Sequence, residues 1–290
     1  MDRQFDAMIV ALNVNIWIGE RLDRHQSDDV TQRAGADADA ARVTRVLLPK
    51  DLIRPVTKAA SAARTTYKET TAPWLSKGQR VLSTAKFMSF IGTMGEHRTK
   101  FNVAVRALLE AYAEYYDHDA RVRLGSMYDS SDFPEPSEMA DRYQMKLTHQ
   151  PVPDPDAWRL PGDIRAEQRS MLVDNLKREL TDAQQTVREH WESQLLMRTK
   201  RLHTSASGDG NMVTTTVTKL HDLAEDIAGA LLPARTEVVP IAAAIGRAVR
   251  PYRESIEYNP KLRLAGAMER SQVAADLEPS IKLLEELTDG

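Results

Sequence analysis

The chain has 290 residues, of which 42% are hydrophobic and 28% are charged, and its net charge is -3. These apolar side chains suffice for a buried core, and no apolar stretch approaches the roughly 18 to 20 residues that cross a bilayer. The lack of cysteine excludes disulfides, thiolate metal sites and cysteine nucleophiles. Asp2 and Asp6 make the start atypical of a secretory signal, so we expect a soluble cytoplasmic protein with no membrane partner.

The first seventy residues alternate between strand-like and helix-like patterns. Apolar residues at every second position predict a strand over residues 8–18. A polar link over residues 26–32 precedes an alanine-rich helical segment over residues 34–48. A second helix is predicted over residues 51–71, with Pro55 in its first turn. A loop then follows around Trp74 and Gly78.

The middle of the chain predicts one long helix and a second strand. The helix covers residues 84–124, with interruptions at Gly92 and Gly95 and a stop at Gly125. A short helix over residues 137–142 leads into an alternating run from Tyr143, which prolines end from residue 151 onward. Because isolated strands are unstable, we expect the two strands to pair with each other or with a third.

The second half is predicted to be helical, beginning with an amphipathic helix over residues 165–203. Helices over residues 220–232 and 238–249 and a short one over 281–287 follow a polar hinge at residues 204–211. At about 55 to 60 Å the long helix exceeds the width of one compact domain. Its apolar stripe is therefore expected to pack on another chain or, equally, within this chain on residues 220–249.

These patterns predict a mainly α fold with a small β-sheet, in the α+β class. Two domains are expected: a mixed α+β domain with a basic helical segment over residues 1–160, and a long-helix domain over residues 161–290. The second would form a helical hairpin or a coiled-coil-like arrangement. No internal repeat is apparent.

Motifs that carry catalysis are missing from the sequence, which has no Walker loop, nucleophile elbow, dinucleotide fingerprint or HExxH helix. The side chains of residues 117–119 (Asp-His-Asp) would point in different directions on a helix and cannot converge on a metal. The i, i+4 pairs His221 with Glu225 and Asp222 with Asp226 could hold a metal, but ordinary pairing on a helix surface explains them as well. A GxxG run at residues 92–95 lacks the context of a KH module. We therefore predict no enzyme, no cofactor and no metal.

The stretch from Arg42 to Arg106 is strongly basic. It contains thirteen Lys or Arg and three acids, a local excess of ten positive charges. Since the net charge of the chain is -3, the remaining residues carry about -13. Aromatic residues are interleaved with the cations, as a single-strand binding surface requires for phosphate neutralisation and base stacking. The alternative is that the aromatics are core residues and the cations face an acidic partner or subunit.

The chain also resembles a family of proteins with a domain of unknown function that tailed bacteriophages and mobile elements encode. The resemblance covers most of the chain in order and lies in short segments: residues 12–17, 124–125, 132–134, the strand from Tyr143, residues 151–153 and 157–159, and the long helix. These motifs are structural rather than catalytic. The resemblance implies an accessory role in phage replication or recombination, beside an ATPase in some cases.

The first hypothesis is an oligomeric phage protein that binds nucleic acid without catalysis, coating or annealing single-stranded DNA in recombination. Its predicted contacts are the phosphate-binding Arg64, Lys68, Lys77, Arg80, Lys86, Arg98 and Lys100 and the base-stacking Tyr67 and Trp74. The alternative is a structural or adaptor protein, either a virion component or the partner of an ATPase, which uses the same surfaces for protein contacts.

Overall fold

The computed structural model describes residues 6–75, 78–154, 166–208, 214–229, 232–258 and 267–289. It is mainly α-helical with a small antiparallel sheet of four strands and a second sheet of two, which confirms the predicted fold class. The strands in these ranges are β1 (Ala7–Asn15), β2 (Glu20–Asp23), β3 (Val43–Val46), β4 (Ala72–Pro73), β5 (Gln79–Ser83) and β6 (Gln144–Pro151).

The α-helices of the same ranges are α1 (Arg24–Ala34), α2 (Lys50–Thr70), α3 (Thr84–Glu114), α4 (Ala120–Leu124), α5 (Pro136–Met139), α6 (Ala166–Ser207), α7 (Thr214–Ala228), α8 (Val238–Tyr258) and α9 (Ala267–Asp289). A π-helical turn, Tyr115–Asp119, joins α3 to α4, and 3-10 turns occur at Gly125–Met127, Ser130–Asp132 and Ala140–Arg142.

Two compact units divide the chain, and both are discontinuous in sequence. Unit 1 contains Met1–Val10, Thr71–Met88 and His149–Gly290, and unit 2 contains Ala11–Thr70 and Ser89–Thr148. The expected domains were continuous in sequence and met near residue 160. The two units instead each combine segments that are distant in sequence. Consequently β1, α3 and β6 each have residues in both units.

The predicted pairing of the first strand with the strand after Tyr143 is confirmed, because β1 and β6 are neighbours in the order β4-β5-β1-β6. The β4–β5 hairpin was predicted as a loop. Ala72 pairs with Val81 and Pro73 with Arg80 in antiparallel register. Gly78 precedes β5 with a φ of 87°, a conformation that glycine adopts at no steric cost.

The predictions for residues 26–48 are wrong. The polar link lies inside α1, which Asp23 caps by accepting the Gln26 N–H at 3.0 Å and which Gly35 ends at a φ of 61°. The alanine-rich segment contains β3, which pairs with β2. Aspartates at 37 and 39 interrupt the alanines, and aspartate is a poor residue inside a helix.

Gly19 holds a close approach between chain segments of unit 2. Its φ is 67°, and its carbonyl oxygen accepts the Leu47 N–H at 2.7 Å. A Cβ at this position would lie 2.3 Å from the Cβ of Leu48. Glycine is therefore required both by the backbone conformation and by space.

Helix α3 continues without a break where interruptions were predicted, since Gly92 and Gly95 lie inside it. The deviation comes at the π turn, where the buried Tyr115 donates its hydroxyl to the Leu47 carbonyl at 2.5 Å. The predicted stop at Gly125 is confirmed by its φ of 53°. Pro55 belongs to the second turn of α2 rather than the first, because that helix begins at Lys50.

A buried ion cluster anchors the segment after α4 in unit 2. The Asp132 carboxylate is fully buried and lies 2.8 Å from the Arg45 guanidinium, and Arg21 also pairs with it. The Nε of Arg45 lies 3.1 Å from Asp23. Two arginines thus compensate the cost of burying Asp132.

The long helix α6 packs inside unit 1, on α9, α7 and β4, so the intramolecular alternative holds for its central part. The stripe from Leu180 to Leu202 is buried, as predicted. The predicted partner of the long helix was the segment 220–249. Helix α7 of that segment does pack on α6, but α9 packs on α6 more extensively, and α8 pairs mainly with α7. The predicted hinge at residues 204–211 overlaps α6 as far as Ser207, and its residues 209–211 lie outside the described ranges. The last helix, α9, is longer than the predicted segment 281–287.

Across the helices with assigned positions, none is both long and apolar enough to cross a membrane.

Candidate nucleic-acid interface

Helix α2 in unit 2 has one buried and one charged side. Its buried residues recur at steps of three or four: Ile53, Val56, Ala60, Ala63 and Tyr67. This spacing places them on one stripe, and Ile53, Val56 and Ala60 of that stripe pack into the unit 2 core with residues of α3 such as Phe101 and Val105. The opposite side of α2 is therefore turned to solvent.

Five cations occupy that exposed side, and we call them the α2 cationic face: Lys50, Arg54, Lys58, Arg64 and Lys68. At 100° per residue they fall within an arc of about 120° and span about 27 Å along the helix axis. Thr57, Ser61 and Thr65 fill the same arc, and Asp51 and Glu69 lie at its border. The arc thus contains only cations and hydroxyl side chains, the groups that commonly contact phosphate.

Three cations of this face are available for binding. Lys50, Arg54 and Lys58 are exposed, and none of them forms an ion pair with any residue that the structure describes. Arg64 donates to the Val14 carbonyl oxygen at 3.1 Å, a neutral partner that leaves the guanidinium charge uncompensated. The face is therefore a source of positive potential along one helix.

The predicted stacking residues are buried. Tyr67 is 7% exposed and lies 6.4 Å from the Phe90 ring between their centroids. Trp74 is 9% exposed and belongs to the unit 1 core. Neither ring offers a free face to a base, because hydrophobic burial uses both as packing residues.

Two predicted phosphate contacts are engaged inside unit 1. Arg80 is half-buried and donates through Nε to the Thr71 hydroxyl at 2.7 Å, and it also contacts the Thr71 carbonyl oxygen. Lys86 forms an ion pair with Asp226 of α7. Both cations stabilise the fold and are not displayed on an open surface.

The remaining predicted contacts do not share one face. Arg98 and Lys100 are exposed on α3, but residues two apart on a helix point about 200° away from each other. Lys77 lies outside the described residues. Of the predicted residues, only Arg64 and Lys68 belong to the α2 cationic face.

The other three members of the face were counted in the basic stretch but were not chosen as contacts. Lys50, Arg54 and Lys58 follow one another at i, i+4, so the helical phase of α2 was the signal that could have selected them. The predicted contacts lie in residues 64–100 because aromatic residues are interleaved with the cations there.

The histidine and carboxylate groups considered for metal binding are mostly paired with cations. Asp222 binds Arg253 at 3.2 Å, Glu225 binds Arg250 at 3.0 Å, and Asp226 binds Lys86. His221 is buried, with its Nε2 4.0 Å from Glu225. In the part of the chain with assigned positions, no three metal-type ligands converge.

Two ionisable groups of unit 1 are shifted by burial. Desolvation raises the pKa of Asp226, although the hydrogen bond and the charge of Lys86 act in the opposite direction. Desolvation, with smaller effects from Arg80 and Arg198, lowers the pKa of His190 to about 4. Both shifts have burial as their main cause.

Comparison with known proteins finds no matching family model, no matching curated protein and no matching solved structure. The resemblance to the phage family therefore stays a prediction.

Proposed function

We propose that this protein binds nucleic acid without catalysis and holds the phosphate backbone on the α2 cationic face. The observation that carries the proposal is the alignment of five exposed cations with hydroxyl side chains along one helix. Such a face neutralises phosphates regardless of base sequence. Because Tyr67 and Trp74 are buried, base stacking by these rings is not part of the proposal.

A salt titration measures how many phosphates are engaged. Affinity for a fluorescein-labelled 30-nucleotide strand and for a 30-base-pair duplex would be followed by anisotropy between 50 and 300 mM salt. Engagement of all five cations predicts slopes of log affinity against log salt of about -3.5 for single strands and about -4.5 for duplex. A single-stranded role further requires that the strand bind more tightly than the duplex.

Charge reversal tests the face directly. The variant Lys50→Glu/Arg54→Glu/Lys58→Glu is expected to lose at least a hundredfold in affinity at 100 mM salt. Arg24→Glu/Arg106→Glu/Arg247→Glu is the matched control, since it reverses three exposed cations elsewhere and changes net charge equally. Equal losses in the two variants would show binding by overall charge and refute a role for α2.

The proposal includes self-association through the start of α6. Among side chains with assigned burial from Glu167 to Glu179 none is buried, and Met171 and Leu172 are 65% and 40% exposed. Exposed apolar side chains at the start of a helix favour burial against another chain, which supports the predicted homo-oligomer. We place such an assembly in the cytoplasm of the producing cell, as expected for a phage replication or recombination accessory.

A further inference from the structure

Unit 1 contains an apolar groove between the start of α8 and the end of α9. Its volume is about 530 Å³, and its lining includes Pro240, Ile241, Leu283 and Leu287 with the carboxylates of Glu237 and Glu286. Leu283 is 49% exposed. The groove thus combines an open apolar floor with acidic groups.

The fold creates this groove because α9 has two apolar faces. Leu277 and Leu284, seven residues apart, are buried in the unit 1 core, where α9 packs on α6. Leu283 and Leu287 are separated by four residues and therefore share a neighbouring face. That second face borders α8 and is only partly covered, so it presents a ready surface for another helix.

The charge on the groove selects the kind of partner. Glu237 and Glu286 are exposed, and neither pairs with a cation anywhere in the described ranges. Nearby acids are compensated, since Glu285 binds Lys200 at 2.6 Å and Glu278 binds Lys282 at 3.1 Å. The uncompensated negative charge beside apolar side chains complements an apolar surface flanked by Lys or Arg.

We propose that this groove binds a basic amphipathic helix of a partner protein. Apolar side chains of that helix at i, i+3 or i+4, and i+7 would contact Ile241, Leu283 and Leu287, which is the usual arrangement of a helix in a hydrophobic groove. Its flanking Lys or Arg would pair with Glu237 and Glu286. The protein would then join a nucleic acid on unit 2 to a protein partner on unit 1, although neither activity requires the other.

A pair of synthetic peptides tests the proposal. One is an 18-residue helical peptide with leucines on one face and lysines beside them, and the other has glutamate at each lysine position. With fluorescein labels on both, anisotropy is expected to show at least tenfold tighter binding of the lysine peptide at 100 mM salt. Equal binding of the two peptides, or no binding of either, would overturn the proposal.

Variants of the groove make the test specific. Leu283→Asp is expected to weaken the lysine peptide at least tenfold, and Glu237→Lys/Glu286→Lys is expected to reverse the preference toward the glutamate peptide. The control Glu254→Lys changes an exposed acid on α8 about 15 Å along the helix from the groove and should leave peptide binding unchanged. Circular dichroism checks that each variant folds, and the reversal of preference cannot arise from unfolding.

Two further outcomes separate this proposal from its rivals. If light scattering shows a dimer that Leu283→Asp dissociates without peptide, a second copy occupies the groove and the proposal is overturned. Affinity for the labelled DNA strand is expected to stay within twofold in Leu283→Asp. The α2 charge reversals should conversely leave peptide affinity unchanged, so failure of one activity is distinguishable from failure of the other.

Discussion

Lys86 of α3 forms an ion pair with Asp226 of α7, and their side chains are 34% and 16% exposed. Burial raises the pKa of Asp226, and Lys86 opposes that rise by hydrogen bonding and by charge. A residue predicted to bind phosphate thus stabilises the interior of unit 1. Together with the contacts of Arg80 to Thr71, this pairing removes two cations of the basic stretch from the predicted binding surface.

Removing this cation is expected to destabilise the protein without weakening DNA binding. Lys86→Met leaves Asp226 without its partner and should lower the free energy of unfolding by about 1–3 kcal/mol, less than for a fully buried pair. Urea titration measures the loss, and Lys86→Arg serves as the charge-conserving control. A tenfold loss of DNA affinity in a folded Lys86→Met protein would show that Lys86 contributes to DNA binding.

Single substitutions on the α2 cationic face should act evenly on all sequences. Arg54→Ala is expected to reduce DNA affinity about three- to tenfold, since one charged contact contributes about 1 kcal/mol. The salt slope should become less steep by about 0.7 to 0.9. Arg106→Ala, an exposed cation on α3, should change neither value, and a sequence-dependent effect of Arg54→Ala would contradict backbone binding.

Disrupting the buried ion cluster of unit 2 should cost more than removing a surface pair. Asp132→Ala leaves Arg21 and the largely buried Arg45 without their shared carboxylate, and a loss of about 3 kcal/mol is expected. Glu278→Ala breaks an exposed i, i+4 pair with Lys282 and should cost less than about 0.5 kcal/mol. Similar losses in urea titrations of the two variants would mean that burial of Asp132 does not matter.

Acidification should destabilise unit 1 through His190. The pKa of His190 is about 4 in the folded protein, whereas an unfolded histidine has a pKa of about 6.5. The unfolded chain therefore binds the extra proton first, and stability present above pH 6.5 is lost as pH falls toward 4. His190→Gln should reduce that loss by about 1–2 kcal/mol, with allowance for the partial exposure of the ring.

Thermal unfolding of wild type and His190→Gln at pH 7.0 and pH 4.5 measures this contribution. The comparison between the two proteins cancels the carboxylates that titrate in the same interval. If both lose the same stability on acidification, His190 is protonated in the folded state and the assignment fails.

Self-association should depend on the exposed start of α6. Met171→Ser/Leu172→Ser removes the two apolar side chains and is expected to lower the mass found by light scattering toward that of the 32.6 kDa chain. Leu283→Ser, which removes an exposed leucine from another helix, provides the control. A monomeric wild type would contradict the predicted oligomer outright.

Local patterns predicted much of the secondary structure. Alternation in residues 8–18 and the apolar steps of residues 165–203 correspond to β1 and α6, because each period follows directly from backbone geometry. The segment of residues 26–48 was misassigned, since α1 is nearly all polar and depends on its caps and on a contact with β3, where the Val43 N–H donates to the Ser27 hydroxyl. Tertiary packing overrides weak local preference in such segments.

For the charged residues of the candidate interface too, local sequence patterns predicted only part of the arrangement. The sequence by itself determined that the stretch from Arg42 to Arg106 is basic, that residues 51–71 favour a helix and that cysteine chemistry is excluded. Only the tertiary structure decided that Tyr67 and Trp74 are core residues, that Lys86 pairs with Asp226 and that Lys50, Arg54 and Lys58 remain open. The physical reason is that charge is a property of composition, whereas exposure and pairing depend on which distant segments come into contact.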